Sequence, residues 1–204
     1  MNRSGLQRII PIVIVLLVAG LAIFALISLG RAIFSGGGQS DQPVAVNSGK
    51  QALINTSADR SVRMTVRGPI VAQNNFHSYT IEASPDKTAM TTYVGYIGQQ
   101  VATKSYENNT QAYTQFVNAL DKANMMEGTL LTGDANNTDG VCARGNLYLF
   151  AVLQGTNVIQ ELWTSTCRGS VGSLKANMTQ ISTLYQRQIP DFTALIRQIS
   201  MSST

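Results

Sequence analysis

The chain of 204 residues carries 15 Lys and Arg against 11 Asp and Glu, with one His, for a formal net charge of +4 at pH 7. That surplus is no argument for nucleic acid. Arg3, Arg8 and Arg31 flank one apolar segment, so twelve basic residues stand against eleven acidic ones from Ala32 onward. A nucleic-acid surface needs a clustered basic face instead. The roughly 150 residues beyond Gln51 suffice for one hydrophobic core and not for two.

Residues 1–8 are a short basic tail. Ile9 to Leu29 then runs twenty-one residues without a charge, interrupted only by Pro11, Gly20 and Ser28. As a helix it spans roughly 31 Å, the thickness of a hydrocarbon core. Pro11 falls in the first turn, where no intrahelical bond is lost. The stretch exceeds a signal-peptide core of about 7–15 residues, and Leu29-Gly30-Arg31 is no A-x-A cleavage site. No cysteine lies near its end, which excludes lipoprotein processing. The segment 9–29 is therefore expected to be an uncleaved signal-anchor whose partner is the lipid bilayer. Arg3, Arg8 and the α-amino group outnumber Arg31 across it, so the tail is expected in the cytoplasm and the remainder outside the cell membrane. The pattern of a type IV pilin is not met, because the position five residues beyond Gly5 is Ile10 where a glutamate is required.

Residues 30–50 read as a flexible linker rich in Gly and Ser, with Gly36-Gly37-Gly38 at its centre. Residues 51–204 are expected to fold as one α+β domain. Ser61 to Arg67 alternates Val62, Met64 and Val66 with Arg63, Thr65 and Arg67, a half-buried strand stopped by Gly68-Pro69. Phe76 to Ala83 continues the alternation, and Thr88 to Ile97 is a third strand rich in Thr, Tyr and Val. Asn109 to Met126 changes to helical period, with Tyr113, Phe116, Val117 and Leu120 on one face and Gly128 at its end. Leu147 to Leu153 is apolar throughout and reads as a strand buried on both faces, turned by Gln154-Gly155-Thr156-Asn157 into Val158 to Thr164. Two helices close the chain, one holding Leu174, Met178, Ile181 and Tyr185, the other capped by Asp191 beyond Pro190. The order β-β-β-α-β-β-α-α predicts a mostly antiparallel sheet with helices on one face.

Cys142 and Cys167 fall within two positions of direct opposition at the open end of the Leu147–Thr164 hairpin. A bulge or register shift brings such a pair into the window of about 4.4–6.8 Å between Cα atoms. A disulfide closing a loop of about 25 residues is expected, in an oxidising compartment. The alternative is two unpaired thiols.

Candidate sites are few. His77, the only histidine, would have to anchor any Ser-His-Asp or Cys-His apparatus, whereas a strand histidine is ordinarily a hydrogen-bonded or surface residue. Ser84-Pro85-Asp86-Lys87 has the S-x-x-K spacing of penicillin-recognising enzymes, but it falls in a turn where that chemistry needs a helix, without S-D-N or K-T-G companions. Asp134 to Gly140 looks like the start of a calcium loop; Gly140 comes one place late and Gly145 stands where a bidentate Glu is needed, so a polar Asx turn is expected. Four N-x-S/T sequons begin at Asn55, Asn108, Asn136 and Asn177 and matter only in a glycosylating pathway. With no P-loop, G-x-G-x-x-G or zinc signature, no cofactor and no metal are expected. Arg60, Arg63 and Arg67 form a basic stripe suited to an anionic lipid, a cell-wall polymer or an acidic protein; the plainer account is a solvated edge strand guarded by charge.

These features lead to the expectation of a non-enzymatic, membrane-tethered extracytoplasmic module that binds or scaffolds an envelope protein or polymer. An assembly subunit of a secretion or surface-fibre system comes second. An extracytoplasmic hydrolase comes third, since it needs an acid pair or His77 in a cleft.

Overall fold

In β1 (Arg60–Arg67) successive side chains point to opposite faces, so Val62, Met64 and Val66 are buried together while Arg63, Thr65 and Arg67 share the other side. Hydrogen-bonded neighbours carry the same alternation outward. β2 (His77–Ala83), β3 (Lys87–Val94), β4 (Gln99–Glu107), β5 (Leu147–Gln154) and β6 (Asn157–Ser165) complete one six-stranded sheet of spatial order β4-β3-β2-β1-β5-β6. Every neighbouring pair is antiparallel. The computed structural model describes residues 48–169 and 172–201. The expected tail, the anchor Ile9 to Leu29 and the linker as far as residue 47 lie outside the described residues. Among the described residues no helix is long and apolar enough to cross a membrane.

The helices α1 (Ser48–Ile54), α2 (Thr110–Lys122), α3 (Met178–Gln186) and α4 (Phe192–Met201) pack on the face that carries Met64, Ile81, Met90, Phe150 and Leu162. Tyr113, Phe116, Val117 and Leu120 of α2, at helical spacing, enter this core, as do Ile181 and Tyr185 of α3. Aromatic edges lock the layers together: Phe116 meets Tyr185 at 5.2 Å between centroids, and Tyr79 of β2 meets Phe192 of α4 at 5.7 Å. The expected α+β class and antiparallel sheet are found, with the helices on one face.

Five details depart from the sequence expectation. A fourth strand, β4, precedes α2, giving α-β-β-β-β-α-β-β-α-α instead of β-β-β-α-β-β-α-α. The third strand stops at Val94 because Gly95 and Gly98 adopt φ of 75° and 70° and close a turn, Gly98 N donating to Gly95 O at 3.0 Å. β4 carries little alternation in its sequence because it is an exposed edge, half-burying only Ala102 and Tyr106. α1 starts at Ser48, inside the segment expected to be linker, and buries Leu53 completely. α2 ends at Lys122 because Asn124 takes φ 59°, so the helix stops there and not at Gly128. Leu174 precedes α3 and instead bridges Gly128.

Cys142 and Cys167 are bonded, with Cα atoms 5.5 Å apart. The ladder is shifted by a bulge at Ile159, since Leu153 faces Val158 while Val152 faces Gln160. Beyond β5 and β6, Thr166 N donates to Asn146 O at 3.0 Å, so the same register sets Gly145 opposite Cys167. The chain then folds back to bring in Cys142. A Cβ at Gly145 would lie 2.3 Å from Thr166 Oγ1 and 3.0 Å from Cys142 Sγ, which reserves the position for glycine.

Candidate functional site

Among the described residues no α-helix packs on the second face of the sheet. Over β5 and β6 it is apolar, and Leu147, Leu149 and Trp163 pack there against Leu131 and Val141 of the segment that joins α2 to β5. That segment crosses the face and is fastened at three points. Gly128 bridges Leu174, the Trp163 indole N–H donates to Asn136 Oδ1 at 3.0 Å, and the disulfide holds Cys142. It stops short of β1, β2 and β3. There the floor of a cleft of about 690 Å³ remains, formed by Thr65, Arg67, Ser78, Thr80 and Tyr93. The pairing register explains the grouping: Arg67 faces Ser78, which faces Tyr93, and Thr65 faces Thr80. All five share the face opposite the helices because they share the parity of their strands.

One wall of the cleft is Thr138 to Cys142 with Leu147; the other holds Ile70, Phe76 and Tyr96. The second wall is rigidly clipped. Phe76 stacks on Tyr96 at 4.1 Å, the Tyr96 hydroxyl donates to Val71 O at 2.7 Å, and Gln73 Oε1 accepts from Tyr96 N at 3.1 Å. Gly95 allows this closure, since a Cβ there would come within 2.3 Å of Gln73 Nε2. Ile70 N donates to Ala143 O at 3.0 Å and ties one wall to the other.

The floor groups are not used by the fold. Among the described residues the Arg67 guanidinium and the hydroxyls of Thr65, Ser78, Thr80 and Tyr93 take part in no hydrogen bond or ion pair. The one lining carboxylate is that of Asp139, exposed on the rim, whose backbone N–H donates to Asn137 Oδ1 at 2.9 Å. Farther along the same face Arg63 lies between Glu82 on β2 and Ala151 on β5, with Glu161 one strand beyond. Burial pushes the Glu161 carboxyl up from its ordinary range, opposed by the positive charges of Arg63 and Arg67. Ser61 Oγ donates to Glu82 Oε1 at 3.0 Å.

The basic stripe expected from sequence is therefore split. Arg67 lines the cleft, Arg63 shares its face outside the cleft, and Arg60 lies on the opposite face. Arg60 is mostly buried, its Nε 4.0 Å from Asp59 Oδ1, with Nε and Nη1 buried without a hydrogen-bond partner among the described residues. β1 is a central strand, so the charge-guarded edge does not explain these arginines. His77 opens β2 on the helix-covered side and does not line the cleft; its Nε2 is buried without a hydrogen-bond partner among the described residues.

The remaining motifs are accounted for locally. Ser84 Oγ donates to Asp86 and to Lys87 O, and the bond from Ser84 holds the Asp86 carboxyl below its ordinary range. The Asx turn expected within Asp134 to Gly140 is formed by Asn137, and no group of three or more His, Cys, Asp or Glu among the described residues is placed to hold a metal ion. All four sequon amides make hydrogen bonds: Asn55 with Ser57, Asn108 with Ser84, Asn136 with Trp163 and Asn177 with Gln180 N. The sequence matches no protein-family model and no curated protein. Ser78, Thr80 and Tyr93 were not singled out by sequence, and only their parity with Arg67 across the register could have found them.

The arrangement offers donors and an apolar wall. None of the floor hydroxyls is hydrogen-bonded to a histidine, lysine or carboxylate that could activate it, among the described residues. It can hold an acceptor-bearing ligand in a pocket of ordinary ligand size, about 300–1,000 Å³.

Proposed function

We propose that the protein is a non-enzymatic binding module of the cell envelope, tethered by Ile9 to Leu29 with its domain on the extracytoplasmic side, and that the cleft on the open face is where it engages its partner. The observation that carries this is the set of unpaired donors, Arg67, Ser78, Thr65, Thr80 and Tyr93, gathered in one cleft. Thr65, Ser78, Thr80 and Tyr93 are half-buried and Arg67 is exposed, so all five donors stay within reach of a ligand that replaces the water on them. The Cys142–Cys167 bond favours an oxidising compartment, in keeping with a domain outside the cytosol.

The test is site-specific photocross-linking of the full chain in native membranes. A benzophenone side chain at Tyr93 is expected to give a discrete adduct. The same group at Gln115, exposed on α2, is expected to give none. Identical products from both positions, or none from Tyr93, would remove the cleft as the binding site.

A further inference from the structure

Resting on the cleft as the binding site, we infer that its ligand is an amphiphile with an anionic head, a carboxylate or phosphate, whose apolar part lies against the cleft walls. The floor presents the exposed Arg67 guanidinium, which makes no ion pair among the described residues, with Ser78 opposite it on β2 and Thr65 and Thr80 one row along. A guanidinium and hydroxyl donors lining one cleft supply the charge and donors that a carboxylate or phosphate accepts, and a charge-assisted bond is about twice as strong as a neutral one. A neutral sugar could use the floor hydroxyls but would leave the Arg67 charge uncompensated, so the guanidinium favours an anionic head. The walls supply the other half of the ligand. Ile70, Phe76, Tyr96, Val141 and Leu147 are apolar or aromatic, and the apolar character continues out of the cleft into Val71 and Ile97, which are 43% and 86% exposed.

The charges around Arg67 support the assignment. Glu161 faces the guanidinium from β6 at long range, without a salt bridge, and Asp139 stands on the exposed rim, also unpaired with Arg67. The head group therefore meets Arg67 without having to displace a bound carboxylate.

Full-length protein in proteoliposomes would be exposed to three probes of equal chain length, each with a diazirine in the tail: a fatty acid, a lysophosphatidic acid and the neutral fatty alcohol. Labelled residues would be mapped by peptide mass spectrometry. The two anionic probes are expected to label the segments 68–76 and 138–147, the alcohol at least about tenfold less. If only one anionic probe labels them, that head group is the source. Arg67→Met is expected to reduce anionic labelling about tenfold without changing label elsewhere on the chain, and Asp139→Asn to leave or increase it. Equal cleft labelling by alcohol and acids, or loss of labelling in Asp139→Asn, would overturn the inference. So would an unlabelled cleft. If a benzophenone at Tyr93 still captured a component of native membranes, the cleft would remain a binding site for a ligand of another class.

Discussion

On the helix-covered face β1 contributes Val62, Met64 and Val66, each at most 4% exposed, and on the open face Arg63, Thr65 and Arg67. One strand thus serves two surfaces whose residues are chosen by different physics. The covered face is filled mainly by apolar side chains, with Tyr113, Tyr185, Thr88, Thr92, Gln160 and the mostly buried Arg60 among its polar members. The open face is apolar along β5, where Leu147 and Leu149 pack with Trp163 under the α2–β5 segment and Ala151 and Leu153 follow, and it is hydroxylated or charged on β1 and β2. Stability should reside on the first face and recognition on the second, and substitutions on each can separate the two.

The largest loss is expected on the covered face. Phe150 is fully buried and within 6.5 Å of Tyr148 and Tyr185 ring centroids. Phe150→Ala should cost about 3–5 kcal/mol in urea unfolding, from lost burial and the cavity left behind. A loss below about 1 kcal/mol would show that this core is not close-packed. Next comes the clasp of the open face. Opening the loop between Cys142 and Cys167 by substituting both with Ser is expected to cost about 3 kcal/mol, in the account that assigns disulfide stability to chain entropy. Reductant is expected to lower the unfolding midpoint of the wild type and to leave that of the double variant unchanged.

Glu161 sharpens the comparison through pH. Its folded value is raised by burial, so between the unfolded value near 4.5 and the folded one the native chain holds more protons than the unfolded chain. Stability from this group is therefore lost as pH rises through that window. Glu161→Gln should be more stable than wild type at pH 7, and the advantage should shrink toward pH 4. An advantage that is constant with pH would contradict the assigned cause. The smallest effect is expected at Thr80, whose hydroxyl the fold does not use: Thr80→Ala should stay within about 0.5 kcal/mol of wild type.

The covered face was the legible one. Period-2 alternation in Ser61 to Arg67 and helical spacing of Tyr113, Phe116, Val117 and Leu120 record burial directly, and those elements lie where the sequence puts them apart from the earlier end of α2 at Lys122. β4 and α1 left weaker signals, because an edge strand and a seven-residue helix bury few side chains. Parity already separates Arg60 from Arg63 and Arg67, three residues being an odd step. The disulfide was legible from hairpin symmetry, although the bulge at Ile159 shifts the ladder away from the cysteines and Gly145 makes up the difference. The cleft was not legible. Its walls come from residues 68–76, 95–98 and 138–142, and their positions follow from contacts between residues distant in sequence, such as Tyr96 with Val71 and Ile70 with Ala143.

The division between the faces is tested most directly by one variant measured twice. Arg67→Met keeps an unbranched apolar stem and removes the guanidinium with its charge and donors. The account predicts an unfolding midpoint equal to wild type within error, together with loss of the adduct formed from a benzophenone at Tyr93. A shifted midpoint with the adduct intact would place Arg67 in the scaffold and contradict the cleft as the working surface.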